Sequence, residues 1–167
     1  EITQLPSVTY IGAAGGNWSN SNNWVGGALP TGNNVATVII NAGSTVVYDS
    51  ALVGQVGSTI QNNGTLAFTS PNNFNLSSVI SGAGTIAQSG AGTLVISGNN
   101  ANFAGQLTIQ SGSSVYLGSN NALGLNSATG QATTRVISNG GSLGLIDGVT
   151  LPSLSVAGSS AGAIGSV

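Results

Sequence analysis

Apolar and polar residues alternate along much of this chain with a period of two. In Gln106-Leu107-Thr108-Ile109-Gln110 the alternation is strict, so Leu107 and Ile109 share one face of a strand and the polar residues share the other. Leu94 and Ile96 repeat the pattern, as do Val115 and Leu117. Between these runs lie Ser97-Gly98-Asn99-Asn100 and Ser111-Gly112-Ser113, whose Gly and Asn accept the backbone angles of tight turns. Residues 90–124 therefore read strand, turn, strand, turn, strand.

The pattern also recurs at a longer interval. A Gly, then Ser or Thr, then an aliphatic residue appears at Gly43-Ser44-Thr45-Val46, Gly64-Thr65-Leu66, Gly84-Thr85-Ile86, Gly92-Thr93-Leu94, Gly112-Ser113-Ser114-Val115 and Gly141-Ser142-Leu143. From glycine to glycine the intervals are 21, 20, 8, 20 and 29 residues. A repeat of about twenty residues is that of a solenoid, whose coils bury their apolar faces only by stacking on one another. The interval of 8 then separates two faces of one coil. The expectation is an all-β solenoid with coils about 4.8 Å apart. Leu66, Phe68, Ile86, Leu94, Ile96, Leu107, Ile109, Val115, Leu117, Leu143 and Leu145 are expected inside. The turns Asn62-Asn63, Asn72-Asn73, Asn99-Asn100 and Asn120-Asn121 either stack their amides from coil to coil or are solvated turn formers.

The stretch GAGTLVISGNNANFAGQLTIQSGSSVYLGSNNALG, residues 90–124, resembles the autotransporter-associated β-strand repeat of bacterial autotransporter passenger domains. The likeness rests on G-x-G-T-L, S-G-x-N, an aromatic shortly before a Gly, and a closing L-G-S-x-x-A-L-G; it is looser outside this stretch. What it implies is a secreted, right-handed parallel β-helix, often adhesive, with no catalytic residues to carry over.

On this reading residues 1–34 form an N-terminal cap segment and residues 35–167 the solenoid repeats. Both tryptophans, Trp18 and Trp24, lie in one polar loop of the cap segment. They are either a platform on which sugar rings stack or a lid over the apolar end of the solenoid, the usual work of large aromatics being packing. The text W-S-N-x-x-N-W also resembles the segment that often precedes the first autotransporter repeat, which favours the lid.

Composition narrows the function further. Gly, Ser, Asn and Thr make up just over half of the chain, yet 40% of it is hydrophobic and the mean hydropathy is +0.31, so it has the material of a folded core. Three acids and a single basic residue give a net charge of -2, which supplies neither a nucleic-acid patch nor a polybasic membrane patch. No apolar run is long enough for a membrane-spanning helix. The absence of Cys is compatible with secretion. A start at Glu1 without a leader suggests a processed protein or an excised piece.

Candidate chemistry is sparse. Without His or Cys there is no Ser-His triad, no Cys nucleophile and no imidazole ligand. Asp49, Asp147 and Glu1 are the acids, read as solvated groups at strand ends, and Arg135 is either a solubilising surface residue or an anchor for a carboxylate such as Asp147. Gly82-Ala83-Gly84 has a nucleotide-loop look but no helix after it. The N-glycosylation matches at Asn17, Asn63 and Asn75 are what chance gives in so Asn- and Ser-rich a chain. No cofactor, metal or enzymatic activity is expected.

The function expected is that of a non-enzymatic bacterial surface β-solenoid in adhesion or extracellular matrix, binding a host or matrix surface. One alternative is a subunit of a self-assembling fibre, joined by strand pairing at its ends through Ile2, Leu5, Leu154 and Val156. The other is a carbohydrate-binding or carbohydrate-active β-helix relying on Trp18 and Trp24.

Overall fold

The computed structural model describes residues 4–49, 59–151, 153–160 and 164–166. In chain order its strands are β1 Leu5–Thr9, β2 Gly16–Asn17, β3 Val35–Ile40, β4 Thr45–Val47, β5 Thr59–Asn62, β6 Thr65–Phe68, β7 Phe74–Leu76 and β8 Ile80–Ser81. They continue with β9 Thr85–Gln88, β10 Thr93–Ile96, β11 Gln106–Gln110, β12 Ser114–Leu117, β13 Arg135–Asn139, β14 Ser142–Leu145, β15 Val156–Ser160 and β16 Ile164–Ser166. A 3-10 turn at Ser21–Asn23 is the one helical element among the described residues. The protein is all-β, and its strands form three parallel sheets. The first is ordered β1-β3-β5-β8, the second β2-β4-β6-β9-β11-β13-β15, and the third β7-β10-β12-β14-β16.

The chain visits the sheets in rotation, so that β5, β6 and β7 are followed by β8, β9 and β10 in the same sheet order. Val46 pairs with Leu66 and Leu66 with Ile86, each twenty residues on. Two intervals are longer: Val8 pairs with Val38, thirty residues on, and Leu107 with Val136, twenty-nine on. The extra length lies in residues 18–34 and 119–134, outside the ladders. The short interval from Gly84 to Gly92 does separate two faces of one tier, since Gly84 precedes β9 of the second sheet and Gly92 precedes β10 of the third.

Alternation decides what is buried. Val46, Leu66, Ile86, Leu107 and Val136 stack in register along the second sheet, and each is wholly buried. Phe74, Leu94, Val115 and Leu143 make the matching column in the third sheet, and Val8, Val38, Ile60 and Ile80 that of the first. Of the residues expected inside, only Leu145 is half-buried, packed against the core's rim.

At Gly64, Gly84, Gly92 and Gly141 the Gly of the recurring motif stands where tiers approach closely, whereas Gly43 and Gly112 are turn residues of positive φ with open space beside them. A Cβ on Gly84 would fall on the carbonyl oxygen of Gly64, and one on Gly105 on that of Gly84, so any larger residue would push successive tiers apart at this corner. The Asn turns reach the neighbouring tier's backbone more than they stack on one another. The Asn100 side chain, wholly buried, accepts from Ile80 N–H at 2.8 Å and donates to Ala122 O at 3.0 Å. Asn73 Oδ1 accepts from Thr93 N–H at 2.8 Å. Among the described residues only Asn121 and Asn99 bond amide to amide, Asn121 Nδ2 donating to Asn99 Oδ1 at 3.0 Å.

Candidate functional site

The N-terminal loop is tied down by its polar residues. Asn20 caps the 3-10 turn by accepting from Asn22 N–H, and the backbone of residues 23–25 runs antiparallel to the end of β1. Ile11 N–H donates to Asn23 O at 2.8 Å and Val25 N–H to Thr9 O at 3.0 Å. Across the tier, Ser19 donates to the Asp49 carboxylate twice, from its N–H at 3.0 Å and from Oγ at 2.5 Å. Next to this clamp Trp18 lies over the end of β4, where its backbone N–H donates to Val47 O at 2.8 Å.

Both indoles are consequently inside. Trp18 and Trp24 are 0% and 1% exposed, and Trp24 Nε1 donates to Trp18 O at 2.8 Å. They begin a stack of edge-to-face and tilted rings, Tyr10, Trp24, Trp18, Tyr48, Phe68 and Phe74, with centroids 4.7–5.8 Å apart. Neither indole offers a free face to a sugar ring. The packing has a polar cost, because Trp18 Nε1 and Tyr48 OH are buried with no hydrogen-bond partner. Burial also raises the Tyr48 phenol well above its ordinary pKa, and Tyr10 is shifted the same way by burial, offset in part by a backbone hydrogen bond near Gly16.

A groove lies elsewhere, on the outer face of the third sheet. Val95, Tyr116, Ile146 and Asp147 line this open space of about 480 Å³, and its walls are almost wholly apolar. Val95 pairs with Tyr116 and Tyr116 with Gly144, so the ring has an aliphatic neighbour on one side and no side chain on the other. Sequence reasoning missed this feature, although a signal was present. In Thr93-Leu94-Val95-Ile96 and Ser114-Val115-Tyr116-Leu117 the outward positions Val95 and Tyr116 are not polar, unlike Gln106 and Thr108 of the strictly alternating strand.

The charged candidates do not converge. Asp49 follows β4 and Asp147 follows β14, four tiers apart or roughly 19 Å along the stacking direction. Arg135 opens β13 on the exposed face of the second sheet and makes no ion pair with Asp147. Among the described residues no three of His, Cys, Asp or Glu cluster as metal ligands. No helix there is long and apolar enough to cross a membrane.

The residues expected to pair end to end belong to end strands or their neighbourhood, β1 of the first sheet and β15 of the second. Ile2 lies outside the described residues. Leu5 is 53% exposed at the start of β1, but Pro6 beside it has no N–H to offer a partner strand. Leu154 is half-buried, lining with Gln131, Ala132, Ser153 and Ser155 a more polar cleft of about 360 Å³. Val156 opens β15, the last strand of the second sheet.

Rotating parallel sheets, ladders of aliphatic residues and glycine corners define a class of all-β protein in which backbone stacking sets the architecture. Residues 18–110, from the first tryptophan to the end of β11, match the model of the G8 domain, and the chain belongs to the G8 domain family. No curated protein and no solved structure matches the chain.

Proposed function

We propose that this chain is a right-handed parallel β-helix of about twenty residues per coil, exposed on the outside of a bacterial cell. There it acts without catalysis, as an adhesive or matrix-building surface like an autotransporter passenger. The observation that carries the reading is the register: Val46, Leu66 and Ile86 stack at twenty-residue intervals while the chain passes through three sheets in turn. Such a body presents long regular faces. Those of this chain are built from hydroxyl, amide and small apolar groups in place of charge, with 2% charged residues in all. A surface of this kind meets a partner over area, with little charge to desolvate.

The test uses cells that make the protein. Antibody against the folded chain should label them without permeabilisation, and deleting the coding region should reduce their attachment to matrix-coated surfaces. Labelling only after lysis would overturn the extracellular reading; surface labelling with unchanged attachment would overturn the adhesive one.

A further inference from the structure

Three surface features complement one another. The groove on the third sheet is apolar except for Asp147 at its edge, with the Tyr116 ring in its wall. Arg135 is exposed on the outer face of the second sheet, and Ile137, two residues on in the same strand, faces the same way and is half-buried. The chain holds one basic residue and three acids in all, and among the described residues neither Arg135 nor Asp147 has an ion-pair partner. The groove matches a long apolar stem ending in a cation. The only side chain of that kind in this protein stands on a different sheet of the same tier.

We propose that the groove of one copy receives Arg135 of a second copy. The aliphatic stem of Arg135 lies along Val95 and Ile146, its guanidinium stacks on the Tyr116 ring, and its N–H groups donate to the Asp147 carboxylate. Ile137 extends the apolar contact. Beside Arg135 the second sheet shows Gln106 and then Thr85 in register, so the surrounding face approaches without stripping water from further charges. Knob and hole are different patches, which makes the contact heterologous. A joined pair still has one free groove and one free Arg135, and copies add head to tail. This contact stands whether or not the cell-surface reading does.

Sedimentation velocity of the intact chain over rising concentration tests the proposal. Association should grow with concentration and weaken in high salt, as a contact anchored on one charge pair does. Asp147→Arg alone and Arg135→Asp alone should each weaken it by more than about tenfold, since each sets like charges face to face. Mixing the two variants should restore association, because the Arg135 of one meets the Asp147 of the other. Both side chains are exposed, so the variants should melt as the parent does, a control read by circular dichroism. A monomer at every concentration would overturn the proposal. So would association indifferent to salt and to both reversals, the signature of strand-to-strand pairing, or a mixture that fails to recover it.

Discussion

The two halves of the molecule fill their interiors differently. Toward the N-terminus a stack of rings from Tyr10 to Phe74 runs beside the aliphatic ladder; beyond it the core is Leu, Ile and Val with the lone ring of Phe103. The change follows the sheets. Among the described residues the third sheet begins at β7, and the first tiers carry the loop around Trp18 and Trp24, whose backbone bonds the ends of β4 and β1. Among the described residues, three strands enclose the tiers β5-β6-β7 and β8-β9-β10, and the later tiers, with strands of the second and third sheets alone, are filled chiefly by aliphatic side chains. The column containing Trp18, Tyr48 and Phe68 runs on through Gln88, Ile109 and Ser138. Its two polar members turn back to their corners, Gln88 Nε2 donating to Gly92 O at 2.6 Å and Ser138 Oγ to Gly141 O at 2.9 Å.

The sharpest break of the aliphatic half is Leu107→Asp. It places an unpaired charge between Ile86 and Val136 and should cost several kcal/mol, against about half a kcal/mol or less for Gln106→Asp one residue away on the outer face. Urea denaturation of the two variants checks this, and equal loss would mean that the two faces are assigned the wrong way round. The counterpart in the aromatic half is Trp24→Ala, which removes the ring between Tyr10 and Trp18 and should cost about 3–5 kcal/mol in the same measurement.

The aliphatic half was the legible one. Period-two alternation marks Leu94, Leu107 and Val115 as inward, and the Gly-Ser/Thr motif marks most corners, because both are local consequences of a strand stacking on its predecessor. Gly105 fulfils the same corner role but is followed by Gln106, so the motif passes over it. The aromatic half was ambiguous because a Trp in a polar loop has the same text whether its ring faces a sugar or a core. What decides is burial against rings far along the chain, Trp18 on Tyr48 thirty residues away, and sequence spacing does not foretell such a contact. The groove escaped for a related reason: Val95, Tyr116 and Ile146 become neighbours only when three tiers are laid side by side.

A smaller change should have the opposite sign. Tyr48→Phe leaves the ring contacts with Trp18, Phe68 and Phe74 in place and removes a buried hydroxyl that has no partner, so it should stabilise by about 1 kcal/mol or more. The same residue sets an alkaline limit. Because burial raises the phenol's pKa in the fold, its contribution is fully present below about pH 10, the unfolded value, and is lost as pH rises beyond it, when the unfolded chain ionises first. Urea midpoints measured near pH 8 and near pH 11 should diverge for the parent and diverge less for Tyr48→Phe.

The smallest effect concerns the clamp between loop and tier. Ser19 presents two donors to one carboxylate, and both partners sit near solvent, where charge-assisted hydrogen bonds keep only part of their strength. Ser19→Ala removes the hydroxyl and leaves the backbone N–H bonded to Asp49, so it should cost about 0.5–1 kcal/mol. Asp49→Ala removes the acceptor for both and should cost somewhat more. The discriminating readout is local. If the clamp is what seats the indoles, either variant should speed hydrogen exchange at the Trp18 and Trp24 amides while leaving those of β11 and β12 unchanged. Uniform acceleration in both halves would instead show that the aromatic tiers and the aliphatic ladder unfold as one unit, with the loop bound to the rod by the rings themselves and the clamp a surface detail.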